Sequence, residues 1–245
     1  DFYSVGALVG QEYANNVFHG SFVVSNTSSA LFYNNTFSGD VNSNTFSGDV
    51  NSNTFRGSEV NSNTFSGEVY NNTFRYKVYS NTFSGYVDNN TFSGGEVYNN
   101  TFSGGVYNNT FSGYVYNNTF SGYVNLNRFS GGDVYRNTFS GYIFNNTFSG
   151  YIFYNTFSGN VIVNTFSGNV NNNTFSGYVS NNTFTYPGFL KYVTIADYLQ
   201  SKTINNTTYP FLFNTDYKKE ILQASNGKNY IRYFDGTNDI NTLIP

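Results

Sequence analysis

The chain of 245 residues is 21% aromatic and only 10% charged, carries a formal net charge of −3, and contains no Cys, Met or Trp. Without cysteine it offers no disulfide, thiolate nucleophile or Cys-ligated metal site, and its thin, slightly acidic charge lacks the basic footprint that a nucleic-acid partner requires. No run of about 18 apolar residues is present to span a membrane, while aromatic and β-branched residues at this density favour a folded, β-rich chain over a disordered one.

The first segment, residues 1–17, reads as an irregular arm. A chain with no Met at residue 1 has lost its initiator by processing or is a fragment; removal of a secretory signal before Asp1 is the favoured reading, and with it the expectation of a protein outside the cell or at its surface. The stretch "DFYSVGALVGQEYANN" is suited to completing a neighbour's sheet by strand addition.

Residues 18–185 are a tandem repeat of N-T-F-S-G-x-V-x-x. Its Phe markers include Phe37, Phe46, Phe55, Phe65 and Phe74, and the aliphatic markers that follow them include Val41, Val50 and Val60. The step is nine residues, with a tenth added at "FRGSEV", "FSGGEV" and "FSGGDV", which begin at Phe55, Phe92 and Phe129, 37 residues apart, and in the degenerate "FHGSFV" at Phe18. Self-similarity at a short fixed period marks a repeat architecture in which each unit buries its apolar face against its neighbours. One extra residue in every fourth unit reads as a β-bulge at a fixed place in a higher-order period.

Two geometries fit. One is a parallel β-solenoid of about 18 residues per turn, with Phe and Val stacked inside, Gly and Asn at the bends, and the Asn of each unit in a side-chain amide ladder. The other is a long antiparallel meander with N-N turns. The solenoid is favoured because Leu126, Arg136, Tyr154 and Val163 hold the slot that a hairpin needs at positive φ, which bulky or β-branched side chains tolerate poorly. Pro187, Pro210 and Pro245 all lie outside the repeats, so no ladder donor is lost.

Residues 186–245 break the period and read as a small α+β capping or docking domain. Helices are predicted from Thr194 ("TIADYLQSK") and Asp216 ("DYKKEILQASNG"), and strands at "YPFLF" and "YIRYF".

The repeats carry no catalytic constellation, and the chain does not read as an enzyme. His19 occupies a slot otherwise held by Ser, and Ser-Gly recurs as bend chemistry rather than as a nucleophile elbow. No cofactor is implied. Acidic residues precede Val at Asp40, Asp49, Glu59, Glu68, Glu96 and Asp133. They read as a solvated face, with Glu59, Glu96 and Asp133 as weak calcium candidates that lack the ligand pattern of calcium β-rolls. Sequons begin at Asn26, Asn34, Asn71, Asn89, Asn99, Asn108, Asn117, Asn145, Asn172, Asn181, Asn205 and Asn206, so N-glycosylation is expected where the source performs it. Tyr86, Tyr114, Tyr123, Tyr142, Tyr151 and Tyr178 replace the acids in later units. Outward Tyr107, Tyr116, Phe144 and Phe153 follow the aliphatic slot, and an outward face this aromatic is expected to be an interaction surface.

In layout residues 15–185 resemble repeat-built extracellular fibre proteins and adhesins, including curli-like functional amyloids. The resemblance is architectural, and it implies a secreted structural subunit of a filament, sheath or surface coat with a second copy of itself as partner. The alternative is a monomeric solenoid adhesin that binds glycan on its Tyr columns. Ice binding on Thr/Ser ladders is the weaker version, because large Tyr residues are expected to interrupt a flat Thr array.

Overall fold

A computed structural model describes residues 12–20, 27–57, 59–171, 173–175, 178–180, 182–184, 194–195, 199–204, 207–212, 219–223, 229–234 and 239–243. The repeats form a four-sided parallel β-solenoid, as the period implies. Each coil contains four short strands, and like strands of successive coils pair into four parallel sheets, numbered here in the order in which the chain visits them. One coil runs Val50–Asn51 (sheet 1), Thr54–Phe55 (sheet 2), Glu59–Asn61 (sheet 3) and Thr64–Phe65 (sheet 4). Sheets 1, 2 and 4 contain ten strands and sheet 3 contains eight. One nonapeptide therefore makes half a coil. The meander is excluded, since every strand pair among the repeats is parallel and in register, as in Thr73↔Thr91 and Val69↔Val87.

The sequence makes this shape by giving each side one inward residue. Phe points inward from sheets 2 and 4, Val or Ile from sheets 1 and 3, and all four columns are buried. Phe rings of one sheet stack along the rod at 4.7–4.8 Å, as in Phe92–Phe111–Phe129, and meet the opposite stack edge-to-face, as in Phe111–Phe120 at 6.2 Å and 88°. Both arrangements are favoured by the ring quadrupole, and each buried Phe contributes about 2–3 kcal/mol before entropy is counted.

The corners are of two kinds. Between a Val strand and the next Phe strand lies one residue at φ 51–58°, filled mostly by Asn or Ser. Leu126, Arg136, Tyr154 and Val163 also adopt this conformation, with φ of 58°, 54°, 55° and 58°. The solenoid is correct, but those residues do not select it: they carry the positive φ that was expected to exclude them, held there by ladders on either side. Between a Phe strand and the next Val strand lies Ser-Gly. Here Gly is needed chiefly for closeness, because a Cβ on Gly67, Gly85 or Gly104 would overlap the Gly carbonyl of the preceding coil.

The extra residue of every fourth unit falls at one corner, between sheets 2 and 3, in alternate coils. It lengthens a turn rather than bulging a strand, since Val60 still pairs with Val41 and Val78, and Val97 with Val78 and Val115. A corner has no ladder to disrupt, so the insertion is absorbed there; Gly94 and Gly131, at φ 78° and 92°, help to turn it.

Beyond the repeats, Thr194–Ile195 pairs with Thr174–Phe175 at the end of sheet 4. Among the described residues the two predicted helices are not found: 194–195, 199–204 and 219–223 are strand. Leu199–Ile204 pairs antiparallel with Thr207–Leu212, and Lys219–Gln223 joins Asn229–Phe234 and Asp239–Leu243 in a three-stranded antiparallel sheet. The strands expected at "YPFLF" and "YIRYF" are present. Cross-strand partners such as Ile221↔Ile231 and Leu222↔Tyr230 outweigh the helical propensity of "KKEILQ". No helix among the described residues is long and apolar enough to cross a membrane.

Candidate functional site

The described repeats offer faces rather than a cleft, and their chemistry follows from which outward residues each sheet receives. Two Asn ladders lock the coils that carry these faces. Asn72 donates from its backbone N–H and its Nδ2 to Asn90 Oδ1 at 2.9 and 3.0 Å, and from Nδ2 to the Val50 carbonyl at 2.7 Å. Its own Oδ1 accepts the equivalent pair from Asn53. Each such amide bridges three coils while buried to 1–2% exposure, with its polar atoms paired. The neighbouring Asn of each N-N pair takes the corner. The sequon residues Asn34, Asn71, Asn89, Asn99, Asn108, Asn117 and Asn145 are all exposed at positive φ. Asn26, Asn172, Asn181, Asn205 and Asn206 lie outside the described residues.

The acidic residues divide between two faces. Asp40, Glu59, Glu96 and Asp133 precede the aliphatic slot on sheet 3, while Asp49 and Glu68 do so on sheet 1. The calcium candidates are not brought together. Lys77 lies between Glu59 and Glu96, and Tyr114 between Glu96 and Asp133. Among the described residues no group of three or more His, Cys, Asp or Glu is placed to hold a metal. The carboxylates instead accept backbone N–H groups, Glu59 onto Asp40 Oδ1 at 3.1 Å and Glu68 onto Asp49 Oδ1 at 2.9 Å. Lys77 Nζ stands 3.9 Å from Glu96 Oε2 at an exposed position, a pair worth about 0–1 kcal/mol. His19 Nδ1 is 3.4 Å from Ser38 Oγ, in the Ser file of sheet 2.

The outward aromatics form two different surfaces. On sheet 3, Tyr79, Tyr98, Tyr116, Tyr135 and Phe153 stack in successive coils at 4.8–4.9 Å with planes within 6°. Sequence reasoning identified Tyr116 and Phe153 but grouped them with Tyr107 and Phe144, which belong to sheet 1. The alternating 19- and 18-residue spacing from Tyr79 to Phe153 was the available signal. Tyr79 donates its hydroxyl to Glu59 Oε2 at 2.6 Å, and chiefly this bond pushes its pKa up to about 12. Partial burial, assisted by Glu96, pushes Tyr116 up to about 12. Sheet 1 carries Tyr86 and Tyr123 at 54% and 55% exposure, tilted against Tyr107 and Tyr142 rather than stacked. A shallow groove there is lined by Glu68, Tyr70, Tyr86, Asp88 and Tyr107.

Sheets 2 and 4 turn Thr and Ser outward on either side of the buried Phe. Arg56 and Arg75 enter the Ser file of sheet 2, and Arg128 enters its Thr file. Sheet 4 is uninterrupted: from Thr45–Ser47 to Thr156–Ser158 every coil presents Thr and Ser, with no Tyr among them. The expectation that Tyr breaks the Thr array is overturned on this side: Tyr falls on the Val-bearing sides and at corners such as Tyr154, and none enters the Thr or Ser file of sheet 4 from Thr45 to Ser158.

No protein-family model, curated protein or solved structure matches the chain.

Proposed function

We propose that this chain is a non-enzymatic structural subunit of an extracellular filament, sheath or surface coat. The observation that supports this most is the continuity of the ladders. Main-chain bonds, Asn amides and Phe stacks repeat from coil to coil along the rod, so that each coil templates the next and opening one coil breaks all of them together. Such a stack resists unfolding mechanically. Exposed Tyr rows and thin charge equip its sides for packing against like rods. Electron microscopy of native material before and after boiling in detergent tests the reading. Detergent-resistant filaments or tubes with a regular axial repeat are expected, and isolated short rods under all conditions would overturn it.

A second reading draws on sheet 4. Its uncharged hydroxyl and methyl array repeats at the coil spacing on a rigid support, as a surface that orders water against ice requires. In the glycan version of the adhesin reading, sheet 1 is the better stacking surface, because the sheet 3 rings spend their faces on one another and show edges to solvent. Thermal hysteresis that disappears with Thr101→Tyr and Thr119→Tyr would favour the ice reading, and freezing behaviour like that of albumin would remove it.

A further inference from the structure

Sheet 3 presents two outward files, one before and one after each buried aliphatic residue. In successive coils the first reads Glu59, Lys77, Glu96, Tyr114, Asp133, Tyr151. The second reads Asn61, Tyr79, Tyr98, Tyr116, Tyr135, Phe153. The first file has a hidden symmetry. Read from its middle outward, each acid on one side has a donor at the same distance on the other.

We propose that sheet 3 docks a second copy of this chain antiparallel, with the two-fold axis along the strand direction between Glu96–Tyr98 and Tyr114–Tyr116. That axis sets file against like file in reversed order, as an isologous interface requires. Lys77 then faces Asp133 of the second copy, Glu96 faces the Tyr114 hydroxyl, and Glu59 faces Tyr151. In the second file Tyr98 meets Tyr116 and Tyr79 meets Tyr135, so two stacked ladders close edge to edge in the manner of a dry zipper. Asp40, one coil further out, comes level with the uncharged Asn169.

The register is selected by repulsion as well as by attraction. Sliding one copy by one coil sets Glu96 against its own symmetry mate in one direction and against Asp133 in the other. Like charges brought together across a closing interface are strongly disfavoured, so this file excludes both neighbouring alignments, and the Lys77–Asp133 pair is made only in the proposed one.

The face is narrow. Strand segments about 10 Å wide over eight coils of about 4.8 Å give roughly 400 Å² per copy, about half of what a stable complex uses. The isolated pair is therefore weak, and it gains strength where rods are already aligned in an assembly. In this respect the inference rests on the structural-subunit reading and names its lateral partner.

Sedimentation velocity of the full chain at low ionic strength over a wide concentration range, with microscopy of the same samples, tests it. The wild type is expected to show a reversible dimer. Asp133→Lys and Lys77→Asp should each weaken it by tenfold or more, and the double swap should restore it. Within one chain these two residues are three coils, about 14 Å, apart with Glu96 and Tyr114 between them, too far to pair directly, so rescue of the dimer must come from a second copy. Tyr114→Lys should tighten the dimer by placing a cation against Glu96, a gain that misfolding cannot imitate. A chain that stays monomeric, single variants without effect, or a swap without rescue would each overturn the proposal even if filaments form through the rod ends. Dimers that never grow into filaments would overturn the structural-subunit reading and leave this inference standing.

Discussion

Asparagine fills adjacent positions of the repeat for opposite reasons. The first residue of N-N-T sits exposed at positive φ, where a short polar side chain lowers the strain of the left-handed region. The second is buried and saturates its amide between coils. Asn109 illustrates the difference. Its Oδ1 accepts two bonds from Asn90, and its Nδ2 donates to the Val87 carbonyl and to Asn127 Oδ1. Asn109→Ala leaves the buried Asn90 N–H and Val87 carbonyl without these partners, while Asn90 Nδ2 keeps the Val69 carbonyl and Asn127 Oδ1 keeps the backbone N–H of residue 109, so at about 1–3 kcal/mol for each unsatisfied group the loss should reach about 2–6 kcal/mol. Asn108→Ala one position earlier should cost only about 1–2 kcal/mol, the price of a left-handed alanine. Urea titrations of the two variants, read by tyrosine fluorescence, check the contrast. The amide ladder was legible in the sequence because one Asn of each unit recurs without exception through the central repeats. The neighbouring slot was misread, since its substitution by Leu, Arg, Tyr and Val concealed a backbone conformation that packing imposes whatever the side chain.

Within a coil, strands of two or three residues are stable only because each is paired above and below. Their ends are set by the corners, and the Ser-Gly corner is the tighter of the two. A Cβ on Gly104 would overlap the Gly85 carbonyl, and the flanking coils cannot separate without stretching ladder bonds on all four sides. Gly104→Ala should therefore destabilise by about 1–3 kcal/mol as an overpacking change, whereas Ser103→Ala on the exposed side should stay within about 0.5 kcal/mol. Thermal melts of both variants measure this. The extra residue of alternate coils has the complementary explanation: placed in a corner, it disturbs no pairing, so its 37-residue recurrence records the coil size without bending the rod. Outside the repeats, local propensity misled. "KKEILQ" favours a helix in isolation, yet strand pairing decides it.

Along the whole rod, charge is unevenly distributed. Between Arg136 and Lys191 the sequence contains no charged residue, while Asp40 to Asp133 carries most of the repeats' acids and bases. The four sides also differ: sheet 1 carries tilted exposed Tyr, sheet 2 Thr, Ser and Arg, sheet 3 an acid/Lys file beside an aromatic ladder, and sheet 4 Thr and Ser alone. By itself the sequence determined the nonapeptide unit, the inward Phe and Val and the recurring Asn, because burial of one face forces periodicity onto the chain; it left solenoid and meander both open, since each keeps Phe and Val on one face, and the parallel pairing of the strands decided between them. Which units share a side follows from the 18- and 19-residue spacings only once the coil is known to close after two units. A nonapeptide and its successor look alike in sequence but lie on opposite sides of the rod, and only coil closure, with its alternating 18- and 19-residue steps, sorts Tyr79, Tyr98, Tyr116 and Tyr135 into one ladder and Glu59, Lys77 and Glu96 into one file. Neighbourhood along the rod is set by hydrogen bonding between coils, and that is a property of the tertiary structure.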